Sequence, residues 1–246
     1  MDGTICSVCG EKLFAYAFAG DGGPLCGLCR RVPPPFARAV AYGAYQGELR
    51  DLVHLFKYQQ IKPAGKRLAA LLRTAVAELK LPDEFTLIPV PLWPGKRHAR
   101  GFNQAEEIAR AFVRAESGPA DIELDTSSLV RKRDTASQTG LTRKQRRANV
   151  KGAFAVASKE KIKGRSILLV DDVMTTGVTA AECARVLMRA GARQVFVATV
   201  ARATKDAVND SRSTPSHWDV RPAAVAAAAG VATATIVAPA ASQGGN

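Results

Sequence analysis

The stretch ILLVDDVMTTGVT, residues 167–179, sets four apolar residues against two acids, Asp171 and Asp172, and follows them with three threonines around Gly177. With Ser166 ahead of it, SILLV at 166–170 is an unbroken run of leucine and β-branched residues. Such a run reads as a strand buried on both faces of a parallel sheet. The strand is expected to end near Val170, which puts Asp171 and Asp172 at its carboxyl end. Open α/β sheets bind their ligands at that edge. Residues 179–190 read as a helix with Cys183 and Leu187 four apart on one face, stopped by Gly191. VFVATV at 195–200 reads as the next strand, and together these pieces make a βαβ unit.

The loop between strand and helix has chemistry of its own. The first N–H groups of a helix are unpaired and carry partial positive charge, so the TTG turn is a cradle for phosphate. The hydroxyls of Thr175, Thr176 and Thr179 add donors, and Gly177 lets backbone approach an anion closely. The carboxylate pair just upstream would accept hydrogen bonds from a sugar diol or hold Mg2+. A phosphorylated sugar fits that combination. Capping alone would explain one acid and one threonine, with Thr179 as N-cap, but not the whole group.

Outward from this centre, residues 48–60 place Leu49, Leu52, Val53 and Phe56 at helical spacing, and residues 65–79 do the same with Leu68, Leu71, Leu72, Ala75 and Leu79. TLIPV at 86–90 reads as a strand, and 103–115 reads as a helix with Ala105, Ile108, Ala109 and Phe112 on one face. VPPP at 32–35 is a stiff spacer. The expected organisation is a cysteine-rich segment at 1–31, an α/β section at 32–205, and an Ala-rich, low-complexity tail at 206–246 that is expected to be disordered. The apolar part of that tail is long enough to span a bilayer, but it is alanine-rich and interrupted by Gly230, so no membrane span is expected.

The 246 residues carry a formal net charge of +13 with an ordinary 47% apolar content. The charge is focused. Residues 131–151 hold eight basic side chains against one acid, Asp134, and Lys96, Arg97 and Arg100 lie close together upstream. These runs are interleaved with Gly, Asn, Gln and Thr rather than Glu, which points to a polyanionic partner: a phosphorylated small molecule or nucleic acid. The stretch 131–151 shows no clear periodicity and reads as a loop or mobile arm.

Cys6-x2-Cys9 and Cys26-x2-Cys29 have the spacing of a tetrahedral Zn2+ site. Four thiolates close the coordination shell, so such a zinc is structural, and it would stabilise a stub too short to fold by apolar burial alone. Residues 1–30 contain no apolar segment of the signal-peptide kind, so a cytoplasmic, reducing setting is expected. Cys183 is expected to pack in the core. No GxGxxG, GxxxxGK[ST] or HExxH occurs, which argues against dinucleotide, P-loop and zincin chemistry. Trp93, just before the basic cluster, is a loop anchor or a stacking platform for a base.

VDDVMTTGVT resembles the phosphoribosyl pyrophosphate (PRPP) signature of type I phosphoribosyltransferases. With PVPLWPGKRHARGFNQAEEIAR at 89–110, RKRDTASQTGLTRKQRRANVKGAF at 131–154 and the four cysteines, the chain resembles the ComF family over residues 1 to about 203. That family joins a zinc ribbon to a phosphoribosyltransferase-type domain and is linked to DNA uptake in natural competence. The resemblance implies that Asp171 and Asp172 meet the ribose hydroxyls of PRPP, delivered with Mg2+. It further implies that Thr175, Thr176, Gly177, Val178 and Thr179 hold the 5′-phosphate, with Val173 and Met174 also in the PRPP site. The turn from Pro91 to Lys96, with Arg97, would lie near pyrophosphate. Residues 131–147 fall where these enzymes carry a loop that closes over the reaction centre, so Arg133, Lys144, Arg146 and Arg147 would neutralise departing pyrophosphate. Purine-salvage members have an acid at the place of Thr175, so a purine acceptor is disfavoured here.

Several functional readings follow from the resemblance. One is a phosphoribosyltransferase of nucleotide metabolism with an acceptor the sequence does not specify. The reading preferred over it is a PRPP-binding phosphoribosyltransferase-type domain that serves DNA uptake in natural competence, with competence proteins and single-stranded DNA as partners and Arg143, Lys144, Arg146 and Arg147 as the nucleic-acid contacts. A third is a PRPP sensor without catalysis.

Overall fold

The computed structural model describes residues 4–13, 19–20, 23–58, 61, 63–115, 121–135 and 140–203. The tail beyond 203, including its expected disorder and its Ala-rich stretch, lies outside the described residues. Among the described residues no helix is long and apolar enough to cross a membrane.

The chain begins with two short antiparallel strands, β1 (Ala19–Gly20) and β2 (Gly23–Pro24), and the short helix α1 (Gly27–Arg31). Next come β3 (Arg38–Ala44), α2 (Gly47–Tyr58), α3 (Pro63–Ala77), β4 (Glu84–Pro89), α4 (Pro94–Arg100), α5 (Gln104–Arg114) and β5 (Asp121–Leu124). An excursion of β6 (Leu129–Arg131), α6 (Arg143–Val150) and β7 (Phe154–Val156) leads into β8 (Ser166–Met174), α7 (Val178–Arg189) and β9 (Gln194–Arg202).

Five strands form the central sheet in the order β3-β9-β8-β4-β5, all parallel. Strand alternation divides its side chains between two cores. Leu168 and Val170 of β8, with Phe196, Ala198 and Val200 of β9, face α2, α3 and α5. Ile167 and Leu169, with Val195 and Val197, face α7, where Cys183 is fully buried as expected. Both faces being covered explains why these strands read as continuous apolar runs.

The chain leaves β4 toward β5 and leaves β8 toward β9, in opposite directions from the centre. The adjacent carboxyl ends of β4 and β8 are therefore the topological switch point, where this architecture opens a crevice.

Two expectations need correcting. β8 does not stop near Val170. Its pairing with β9 continues through Asp171↔Thr199 to Met174↔Arg202, because β9 also runs on past the apolar VFVATV. The basic stretch is not a loop throughout. Residues 143–150 are helical, started by a capping box in which Thr142 Oγ1 accepts from Gln145 N and the Gln145 side chain accepts from Thr142 N. On a helix so rich in charge, only Arg146 and Val150 are buried, so the apolar periodicity that announces most helices is missing. The excursion is rooted by the antiparallel β6–β7 pair, Leu129↔Val156 to Arg131↔Phe154. The Glu182 carboxylate on α7 pins it further by accepting from Gly152 N at 2.7 Å.

The cysteine-rich segment and the α/β section form one compact unit. The four cysteines share an apolar cluster with Phe36, Ala39 and residues of β8 and α7, and Ala39 N donates to Val8 O at 2.7 Å across the junction with the edge strand.

Candidate functional site

Because side chains alternate along β8, the two acids diverge. Asp172 points to the α2 face, where Lys57 Nζ meets its carboxylate at 2.9 Å, both groups largely withdrawn from solvent. Burial opposes the Lys57 charge, but the Asp172 carboxylate outweighs it and holds the lysine above its ordinary pKa. Asp171 points toward the α7 face, with Arg131 and Cys183 as electrostatic neighbours. Burial, followed by the neighbouring Asp172 carboxylate, pushes Asp171 up to about 7. The pair is thus asymmetric: one acid holds a fixed cation, and burial favours the neutral form of the other.

Met174 is buried beneath the loop, and Gly177 turns the chain at φ +73°, a left-handed conformation that favours glycine. Gly177, not Thr179, is the N-cap of α7, and it offers no side-chain cap. Thr176 Oγ1 is buried with no hydrogen-bond partner among the described residues. Val173 and Val178 complete the segment from the strand end to the first turn of the helix, both half-buried.

Helix α6 brings cations to this loop. Arg146, only 7% exposed, donates from Nη1 to Thr175 Oγ1 and from Nε to Leu141 O, both at 2.9 Å. Arg143 donates to Thr176 O at 3.0 Å. The hydroxyl of Thr175 therefore faces a guanidinium, the reverse of an acid at that position. Lys144 and Arg147 lie exposed on the same helix.

Other predicted residues are engaged elsewhere. Arg133 donates to Asn149 O and Lys151 O at 2.8 and 3.0 Å, closing the carboxyl end of α6. Lys96 donates to Thr135 O at 2.8 Å and pairs with Asp134 at 3.4 Å, which ties α4 to the root of the excursion. Arg97 pairs with Glu106 at 3.2 Å. Residues 94–100 are a helix with Trp93 as N-cap and Pro94 at its start, and the Trp93 ring packs over Gly95, as a loop anchor would.

Lys57 is the site residue that the sequence did not announce. It sits near the end of an amphipathic helix where a solvated lysine is ordinary. Its partner is distant in sequence, so only the packing of α2 against the sheet brings them together.

The cysteine site is built from two knuckles. An antiparallel bridge between Ile5 and Lys12 closes the hairpin that carries Cys6 and Cys9. Cys26 caps α1, its Sγ accepting from Cys29 N at 3.3 Å. All four ligand sulfurs lie within 4.8 Å of one another and all four residues are buried. Cys9 Sγ and Cys26 Sγ are 3.8 Å apart, which matches the ~3.8 Å between sulfurs in a tetrahedral thiolate shell with ~2.3 Å bonds. The residues fit a metal of that kind. This quartet is also the one grouping of three or more candidate metal ligands among the described residues. Asp171 and Asp172 alone do not form a protein cage for a divalent ion.

A parallel sheet with this loop at its switch point, attached to a four-cysteine knuckle, defines a phosphoribosyltransferase-type protein, and the family model of the phosphoribosyl transferase domain matches residues 98–228. The chain is 35% identical over 202 residues to the DNA utilization protein YhgH of Escherichia coli O157:H7, covering 80% of this chain and 83% of that one. It is 34% identical over 213 residues to Competence protein F of Haemophilus influenzae, covering 81% and 90%. Competence protein ComFC of Streptococcus pneumoniae matches at 27% over 158 residues, covering 64% and 65%. The chain belongs to the ComF family.

Proposed function

We propose that this protein binds PRPP at the carboxyl edge of its sheet and serves the handling of incoming single-stranded DNA in natural competence. The observation that carries the ligand is the loop Thr175–Thr179: a left-handed glycine turn at the start of α7, a buried Thr176 hydroxyl with no partner among the described residues, and two arginines docked on it, directly after the acid pair. The 5′-phosphate would take the loop donors, with Arg143 and Arg146 beside it. Asp171 and Asp172 would accept from the ribose hydroxyls. Mg2+ bound with PRPP would supply charge neutralisation for the pyrophosphate, and with Lys57 already paired to Asp172 the two acids would not hold such an ion by themselves. The four thiolates would hold Zn2+ as a structural ion.

The DNA role draws on the names of the relatives, DNA utilization protein and competence protein. It also draws on Lys144 and Arg147, which stand exposed on α6. If the domain is catalytic, attack of an acceptor on the ribose carbon would break its bond to pyrophosphate, which would leave as the free anion. Thr175 held by Arg146 offers no base for a purine proton, so a purine acceptor remains disfavoured.

Calorimetric titration with PRPP, with and without Mg2+, tests the reading. Saturable binding that disappears in Thr176→Val supports the loop. Absence of binding under both conditions sinks it.

A further inference from the structure

Arg202 is the last residue of β9, and its backbone belongs to the ligand edge. Tyr45 N donates to Arg202 O at 2.8 Å, and the next residue, Ala203, donates its N–H to Met174 O at 3.0 Å. Met174 immediately precedes Thr175. Its sulfur would lie 3.6 Å from a Cβ placed on Gly177, so its side chain supports the turn from below.

The Arg202 side chain reaches the metal-type centre instead. Its Nη2 lies 3.8 Å from Cys9 Sγ and 3.8 Å from the Glu11 carboxylate, and the side chain is 12% exposed. Nη1 is buried with no hydrogen-bond partner among the described residues, so the guanidinium is kept there although it is not fully satisfied. Met174 and the four cysteines belong to one apolar cluster, with Leu25, Leu28 and Val178 packed against it.

We propose that Arg202 is a positioning residue that supports the thiolate metal centre from outside its ligand shell and couples that centre to the phosphate loop. A divalent ion in four thiolates carries a net double negative charge in a buried setting. A guanidinium N–H directed at one sulfur offsets part of that charge and fixes the orientation of Cys9. The same residue carries the backbone on which Met174 rests. Whatever anchors the Arg202 side chain therefore also steadies the strand end from which Thr175–Thr179 departs. A guanidinium that merely filled a gap at the junction would affect neither metal retention nor the loop.

The inference rests on the zinc reading, and the test separates the two. Metal content of the full chain is measured first, and a parent protein without metal overturns the zinc reading and this inference together. With metal present, Arg202→Met is compared with Arg202→Lys for the rate of zinc transfer to a chromophoric chelator and for amide hydrogen exchange. The expected result is about 10- to 100-fold weaker zinc retention in Arg202→Met. Faster exchange at Met174–Thr179 should accompany it, with partial recovery in Arg202→Lys. Unchanged zinc release overturns the support of the metal, and faster release with unchanged exchange at 174–179 overturns the coupling. If Arg202→Met fails to fold, Glu11→Gln loosens the same guanidinium. Several-fold faster release is then expected, and an unchanged rate counts against the role.

Discussion

Lys57 of α2 closes a 2.9 Å ion pair on Asp172 of β8, joining the helix that follows the edge strand to the centre of the proposed ligand site. A buried pair of this kind contributes little net stability against an apolar substitute, but breaking it from one side strands a charge. Lys57→Met should therefore destabilise the fold by about 3 kcal/mol. The double variant Lys57→Met/Asp172→Leu should recover much of the loss. Urea unfolding of the single and double variants measures both, and equal loss in the two would show that the pair is not the cause.

The same ion pair bears on how the acids are tested. Asp171→Asn with Asp172→Asn should abolish PRPP binding, but it also leaves Lys57 without its counter-charge. Adding Lys57→Met should restore stability and leave binding absent. Binding of PRPP by that triple variant would refute the assignment of the acids.

Asp171 gives the site a pH dependence with a definite sign. Its carboxyl is raised to about 7 in the folded chain, from about 4 when unfolded, so the folded protein holds the proton more tightly. Stability should fall as pH rises through the window from about 4 to 7, and Asp171→Asn should flatten that slope. Binding that uses the Asp171 carboxylate as acceptor should strengthen over pH 6 to 8 in the parent protein. Calorimetric titrations across that range check this, and a profile that stays flat would mean Asp171 does not accept from the ligand.

The cysteine quartet should hold about one zinc per chain, lost in Cys6→Ser/Cys9→Ser. Because the four residues share a core cluster with β8 and α7, removal of the metal should lower the melting temperature of the whole unit rather than release a separate segment. Metal analysis together with thermal unfolding before and after chelation reads both effects.

Lys144→Glu with Arg147→Glu should weaken single-stranded DNA binding and make its salt dependence shallower by roughly 0.7 for each phosphate no longer neutralised. PRPP binding should change little, because Arg143 and Arg146 face the loop and these two face solvent. Fluorescence anisotropy over a salt series makes the comparison, and an unchanged slope would remove α6 from the DNA interface.

Much of this was legible in order of sequence. The buried strand at 166–170, the acids and glycine turn behind it, and the two CxxC pairs are local patterns with local physical causes: strand pleat, helix-end dipole and ligand spacing. They specified an α/β fold, a glycine turn behind a pair of acids and a four-cysteine cluster. Apolar periodicity was silent on α6, because a helix held by docking of Arg146 has no apolar stripe to read, and the one local signal is the Thr142-x-x-Gln145 capping box at its start. It was equally silent on β3, whose RAVAYGA is mostly small residues without the β-branched signature.

Tertiary structure alone decided the rest. Strand order put the carboxyl ends of β4 and β8 side by side. Alternation along β8 sent Asp171 and Asp172 to opposite faces, so that one met Lys57 and the other did not. The ends of β9 and β8 brought the cysteine knuckle and the strand end before Thr175–Thr179 to either side of Arg202. These are interactions between residues far apart in the chain, and their energies depend on burial and distance that no local spacing encodes.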